Sequence, residues 1–154
     1  MKTSKNEEKD FQEALYCFDQ ALEQNTNDVE NEFELYLGRA KLNILRGQFG
    51  KTKDDCLQAN RRKSDQEQCW VILIKSRFFV EKWDEASKFI KDASAHCPNS
   101  TKLADLRAKC DQHLSQEIER VKKIEIINEA KQDRMIAVYR AIRNRGIKLG
   151  KRVH

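Results

Sequence analysis

Proline occurs once in 154 residues, at Pro98, and glycine only five times. Ordinary usage would supply about 5% proline and 7% glycine, so this chain has little material for the turns of a β-sandwich or barrel. It reads as all-α. No apolar run approaches the ~18 residues of a membrane span, and the opening MKTSKNEEKD lacks the apolar stretch of a secretory signal. The expectation is a single cytoplasmic protein with a real core and no membrane contact. The five cysteines, at 17, 56, 69, 97 and 110, are odd in number and contain no CxxC pair. That excludes a disulfide framework or zinc ribbon and makes them small buried hydrophobes. His96, Cys97, Cys110 and His113 are spaced more loosely than zinc ligand pairs, so no metal site is expected. Asn99-Ser100-Thr101 reads as a helix start rather than a glycosylation site.

Catalytic signatures are missing too. There is no glycine-rich phosphate loop and no nucleophile elbow, and none of the three histidines has a Ser or Asp relay in sequence. Glu7-Glu8 and Asp54-Asp55 are helix neighbours pointing about 100° apart, which suits charge on outer faces better than paired-carboxylate chemistry. No catalytic residue, cofactor or small-molecule substrate is assigned.

What the chain has is charge, 36% of residues, unevenly placed. Residues 1–98 hold 16 Lys/Arg against 18 Asp/Glu, and 99–154 hold 14 against 7. A near-neutral body therefore carries a basic tail, and such a tail meets something acidic. From Arg134 onward come seven cations and no acid; Arg140, Arg143, Arg145, Lys148, Lys151 and Arg152 are the candidates for nucleic-acid or acidic-protein contact.

The strongest signal is repetition. Phe11, Ala14, Phe18 and Ala21; Phe49, Thr52, Cys56 and Ala59; Trp83, Ala86, Ile90 and Ala93 share steps of three, four and three. Each set lies on one face of a helix whose small residues let a neighbour come close. Ahead of the last two lie apolar-periodic stretches, Phe33 to Leu45 and Cys69 to Val80, joined by short turns at Gly47-Gln48 and Glu81-Lys82. The unit is a helical hairpin, and Phe49 to Trp83 is 34 residues. Phe11 to Phe49 is 38, so four extra residues await an extended connection or a longer helix. Ser64-Asp65-Gln66-Glu67 and Asn27-Asp28-Val29-Glu30 read as capping boxes. Beyond Pro98, Leu103, Leu106, Cys110, Leu114, Ile118, Val121 and Ile124 keep helical spacing, which predicts one long helix with a break near Asn128 allowed and a C-cap at Gly146. Its first turns should cover the last repeat helix.

Trp70, Trp83-Asp84-Glu85-Ala86, Ala93 and Pro98 in one copy, with Tyr36, Ala40, Gly47, Phe49 and Ala59 in the other, resemble the tetratricopeptide repeat. Leu35-Tyr36-Leu37-Gly38-Arg39-Ala40 and Arg145-Gly146-Ile147-Lys148 are similar to the tetratricopeptide-repeat protein four family, co-chaperones of the ninety-kilodalton heat-shock chaperone. The resemblance implies an α-solenoid of about three hairpins followed by a long helix. Residues 1–26 would be a partial first repeat, 33–64 the second, 65–98 the third, 99–146 a capping and projecting helix, and 147–154 a basic tail. It also implies a protein-interaction module. Relatives of this kind grip a terminal Glu-Glu-Val-Asp with five Lys, Asn and Arg side chains. The matching positions fall before Met1 and on Thr3, Gly38, Gln68 and Ile72, so none of the five is kept. The expected partner groove is Gly38, Lys41, Gln68, Val71, Ile72, Lys75 and Phe79, more apolar than a clamp and suited to a chaperone or client segment. The alternatives are a structural subunit of a ribosomal, cytoskeletal or axonemal assembly, placing the chain in a cytoskeletal, ciliary or ribonucleoprotein setting, and nucleic-acid contact through the tail.

Overall fold

The computed structural model describes the backbone of residues 3–24 and 27–153, with side chains over 5–24 and 27–146. Six helices follow in order: α1 Thr3–Gln24, α2 Val29–Leu45, α3 Phe49–Arg62, α4 Glu67–Phe79, α5 Trp83–His96 and α6 Thr101–Val153. Among the described residues there is no strand. Two compact units are present, Met1–Gln112 and His113–His154.

In the first unit each helix packs on the next, α1 on α2 through α4 on α5, and α2 also meets α4. Antiparallel hairpins stacked in sequence are the expected solenoid. The repeat recurs bond for bond at an offset of 34. Gly47 N donates to Ile44 O and Gln48 N to Asn43 O; Glu81 N donates to Phe78 O and Lys82 N to Arg77 O. Both turns pivot on a left-handed residue, Gly47 at φ 71° and Glu81 at φ 57°. Both second helices end on the same bond, Lys63 N to Ala59 O and Cys97 N to Ala93 O. Side chains repeat as well: Arg62 lies over the Tyr36 ring at 4.9 Å, and His96 stacks on Trp70 at 5.8 Å.

The four extra residues have become one more turn of helix. α2 has 17 residues and α4 has 13, and the surplus is Val29–Glu32, added at the amino end. Asp28 caps it by accepting from Asn31 N, one residue later than the expected box. Two ion pairs, Glu32 with Arg62 at 2.7 Å and Glu30 with Lys63, tie the added turn to the end of α3.

Burial supplies the stability. Ala40, Cys56, Ala59, Leu73, Ile74, Ala86 and Ala93 have no exposed surface. Each buried Leu or Ile is worth about 1.5–3 kcal/mol, and the alanines allow the close helix spacing that makes this burial complete. Leu103, Leu106 and Cys110 extend the core into α6, where Arg107 donates to Ser94 Oγ and Cys110 Sγ to Trp83 O. The first turns of α6 thus cover α5, as the sequence predicts. Ser100 starts α6 by accepting from Leu103 N at 3.1 Å.

Several expectations need correcting. Ser64 forms no capping box: Gln66 is the N-cap of α4 and makes no side-chain cap bond. The Glu67 carboxylate, the returning half of such a box, instead accepts from Ser100, while the Ser64 backbone carbonyl accepts from Trp70 Nε1. The partial first repeat is the single helix α1; Lys9 and Asp10, in place of Gly47 and Gln48, let it run on without a turn. α6 runs through Asn128 and Gly146 without a stop. A lone glycine costs about 1 kcal/mol against alanine, too little to end a helix when helix formers lie on both sides. Cys17 is exposed, whereas Cys56, Cys69 and Cys110 are buried as expected.

Candidate functional site

The candidate wall is built by α2 and α4, the first helices of their hairpins. On α4, Gln68, Ile72, Lys75 and Phe79 follow steps of four, three and four and share one face. Gln68 and Lys75 are exposed and Val71 and Ile72 half-buried, while Phe79 stays 63% exposed although its ring stacks on Phe49 at 5.0 Å. On α2, Lys41 is exposed at the position equivalent to Lys75. Leu45, equivalent to Phe79, is 76% exposed; the sequence reading left it out, although moving Phe79 back by 34 would have found it. The wall therefore presents two lysines and two large apolar side chains at matched places on adjacent helices.

Gly38 is different. The Phe18 ring of α1 lies over it so closely that a β-carbon would stand 2.7 Å from Cε1 and 2.8 Å from Cζ. Position 38 is thus a helix-packing point rather than open groove lining. Of the seven expected groove residues, α4 brings five onto or beside one face, Lys41 extends that set onto α2, and Gly38 falls outside it.

A second feature was misread in the sequence. Asp55 is buried, not on an outer face; only Asp54 is exposed. Asp55 accepts from Arg39 Nε at 3.0 Å and Nη2 at 2.6 Å and from Asn43 Nδ2 at 3.0 Å, while Arg39 Nη1 donates to Asp19 at 2.7 Å. The Asp55 bonds, with Asp19 adding to them, push the Arg39 guanidinium pKa up despite its partial burial. Three helices meet there around a crevice of about 310 Å³ that also holds Leu15, Lys51 and Asp54. One repeat later, Arg77 stands at the place of Asn43; it is 3% exposed, donates to Phe49 O and pairs with Glu85, which also holds Lys53 at 3.1 Å. These charges satisfy one another, so the crevice is a joint of the scaffold.

The thiols of Cys56, Cys97 and Cys110 are shifted towards the protonated form. A hydrogen bond with Cys69, together with burial, raises the Cys56 pKa, and burial beside Glu67 and Asp65 raises that of Cys97. No group of three or more His, Cys, Asp or Glu residues among those described is arranged to hold a metal. No helix among the described residues is long and apolar enough to cross a membrane. On the second unit Arg140, Arg143 and Arg145 are exposed; Lys148, Lys151 and Arg152 lie outside the residues whose side chains are described.

No protein-family model matches the chain. Tetratricopeptide repeat protein 4 of Bos taurus is 25% identical over 142 residues, 92% of this chain and 37% of that protein. The Hsp90 co-chaperone Cns1 of Saccharomyces cerevisiae superposes with a TM-score of 0.72 at 17% identity, over 87% of this chain and 43% of that one. The first repeat domain of Spaghetti (RPAP3), solved with the HSP90 peptide SRMEEVD, superposes with a TM-score of 0.58 at 18% identity, over 73% and 86%. The chain therefore spans less than half the length of the first two. It is a tetratricopeptide-repeat fold, similar in sequence to tetratricopeptide repeat protein 4 and in architecture to the repeat module of an Hsp90 co-chaperone.

Proposed function

We propose that the chain is a non-catalytic, cytoplasmic interaction module of the co-chaperone type, which holds a segment of a chaperone or client protein on the α2–α4 wall without a carboxylate clamp. The observation that carries this reading is the matched display of Lys41 with Lys75 and Leu45 with Phe79, while the clamp positions hold Gly38, Gln68 and Ile72. Two cations spaced along an apolar strip suit a segment that offers aliphatic side chains and scattered carboxylates. A bare peptide end with two carboxylates would find no fixed amide donors there. The likeness in fold to co-chaperone repeat modules supports the class of partner.

The test is calorimetric titration of the whole chain with three ligands: a peptide ending Glu-Glu-Val-Asp, the same peptide amidated, and full-length ninety-kilodalton chaperone. The expected result is binding of the full-length chaperone, with little binding of either peptide and no difference between them. Phe79→Ala should weaken the chaperone complex by about ten-fold, as loss of a central aromatic anchor does. Tight binding that needs the free peptide terminus would overturn the clampless reading, and no binding of the chaperone would overturn the choice of partner.

A second reading rests on the exposed arginines at 140, 143 and 145, in a stretch with no acid from 134 onward. Contact with nucleic acid there would weaken steeply with salt, and a flat salt dependence would remove it.

A further inference from the structure

Within the second unit, the α6 residues Ile118, Val121, Met135, Tyr139 and Ile142 are each between 45% and 72% exposed. They are not scattered. Leu114, Ile118, Val121, Glu125, Asn128, Gln132, Met135, Tyr139 and Ile142 recur at alternating steps of four and three, the seam of a coiled coil. The seam is apolar at both ends and polar in the middle, which narrows what can lie on it.

We propose that residues 117–145 pair with the same segment of a second copy of this chain, running antiparallel. Centring the pair on position 130 sets Ile118 against Ile142 of the second copy, Val121 against Tyr139 and Asn128 against Gln132. The two amide pairs then meet at the two-fold axis and satisfy each other, the kind of buried polar contact that fixes register and orientation. On one flank Glu117 meets Arg145 and Ile124 meets Val138. Charge chooses the direction. Residues 113–133 carry five acids and four bases, and 134–146 carry four arginines and no acid. A parallel pair would set Glu125 against Glu125 of the second copy inside the seam, whereas the antiparallel pair sets it against Met135 and lays Glu117 beside Arg145. Glu125, facing Met135, is the one charge in the seam, and it keeps the dimer weak and reversible. The seam shares no residue with the α2–α4 wall, so the failure of either reading leaves the other standing.

The test uses the whole 154-residue protein. Sedimentation equilibrium from low micromolar to submillimolar concentration should show a reversible monomer–dimer equilibrium. Val121→Asp should weaken it by about ten-fold or more, with helix content and the repeat melt unchanged. Orientation is read by oxidative cross-linking above the background of the wild type, whose Cys17 is exposed. Lys131→Cys lies next to its own mate only in the antiparallel pair and should form a covalent dimer, whereas Ile118→Cys meets its mate only in a parallel pair and should not. A protein that stays monomeric throughout, a dimer that Val121→Asp leaves intact, or cross-linking at 118 but not at 131 would each overturn the proposal.

Discussion

The Phe18 ring covers Gly38, with Cε1 at 2.7 Å from where a β-carbon would stand, so an aromatic from α1 fills the place that a clamp amide would occupy on α2. Restoring that amide should therefore cost stability and return no clamp. Gly38→Asn is expected to lose about 1–3 kcal/mol by overpacking. Combining it with Phe18→Ala should recover part of that loss in a double-mutant cycle. Denaturant unfolding of the four proteins measures both, and additive effects would mean that the two residues do not meet.

Asp55 is the charge on which the α1–α2–α3 joint depends. Asp55→Ala leaves the Arg39 guanidinium and the Asn43 amide without their acceptor, a loss of about 3 kcal/mol by analogy with broken buried pairs. Asp54→Ala, one residue away on the exposed side, should change stability by less than about 0.5 kcal/mol. Paired thermal melts decide it, and similar values for the two would contradict the burial of Asp55.

Gly47 and Glu81 share a left-handed backbone at equivalent turns, but only glycine adopts it without strain. Glu81→Gly should raise stability by up to about 1 kcal/mol, and Gly47→Ala should lower it by about 1 kcal/mol. No atom lies within 4 Å of a β-carbon at 47, so the second effect is one of backbone alone. Melting temperatures moving in opposite directions are the expected result.

Glu85 titrates below the usual carboxylate range, chiefly through its hydrogen bond from Lys53, with Lys82 and Arg77 adding charge. A depressed folded value means stability that is present above the unfolded pKa of about 4.3 and lost as the pH falls through the folded one. The melting temperature should drop on acidification across that window. Lys53→Met should flatten the drop while costing only modestly at neutral pH, since the pair is half-buried and Lys82 and Arg77 stay beside Glu85. An unchanged acid limb in that variant would point to other carboxylates.

The parts legible in the sequence are those that depend on local pattern. Phe49 and Trp83 open their helices, Gly47-Gln48 and Glu81-Lys82 turn the hairpins, and the first turns of α6 cover α5, all through spacing along one stretch of chain. The parts that were not legible depend on a distant partner. Asp54 and Asp55 look alike until Arg39, sixteen residues earlier, is seen to reach one of them. Ser64 and Glu67 have the spacing of a capping box, yet α4 starts from Gln66 and Ser100, thirty-three residues on, claims the Glu67 carboxylate. Gly38 could be matched to a clamp position, but only the path of α1 reveals that a ring covers it.

The turn that lengthens α2 carries a lesson about insertions. Adding Val29–Glu32 ahead of Phe33 leaves the phase of every later side chain untouched, because the newcomers join at a free helix start and the old register simply begins one coil further in. An alignment that demands a constant 34 breaks at this spot, while the physical stack takes the extra length at the amino end of α2 and fastens it to Arg62 and Lys63. Tolerance of this kind lets neighbouring hairpins drift apart in size while their contacts stay in step, and it marks the start of α2 as the place where the protein could be enlarged again.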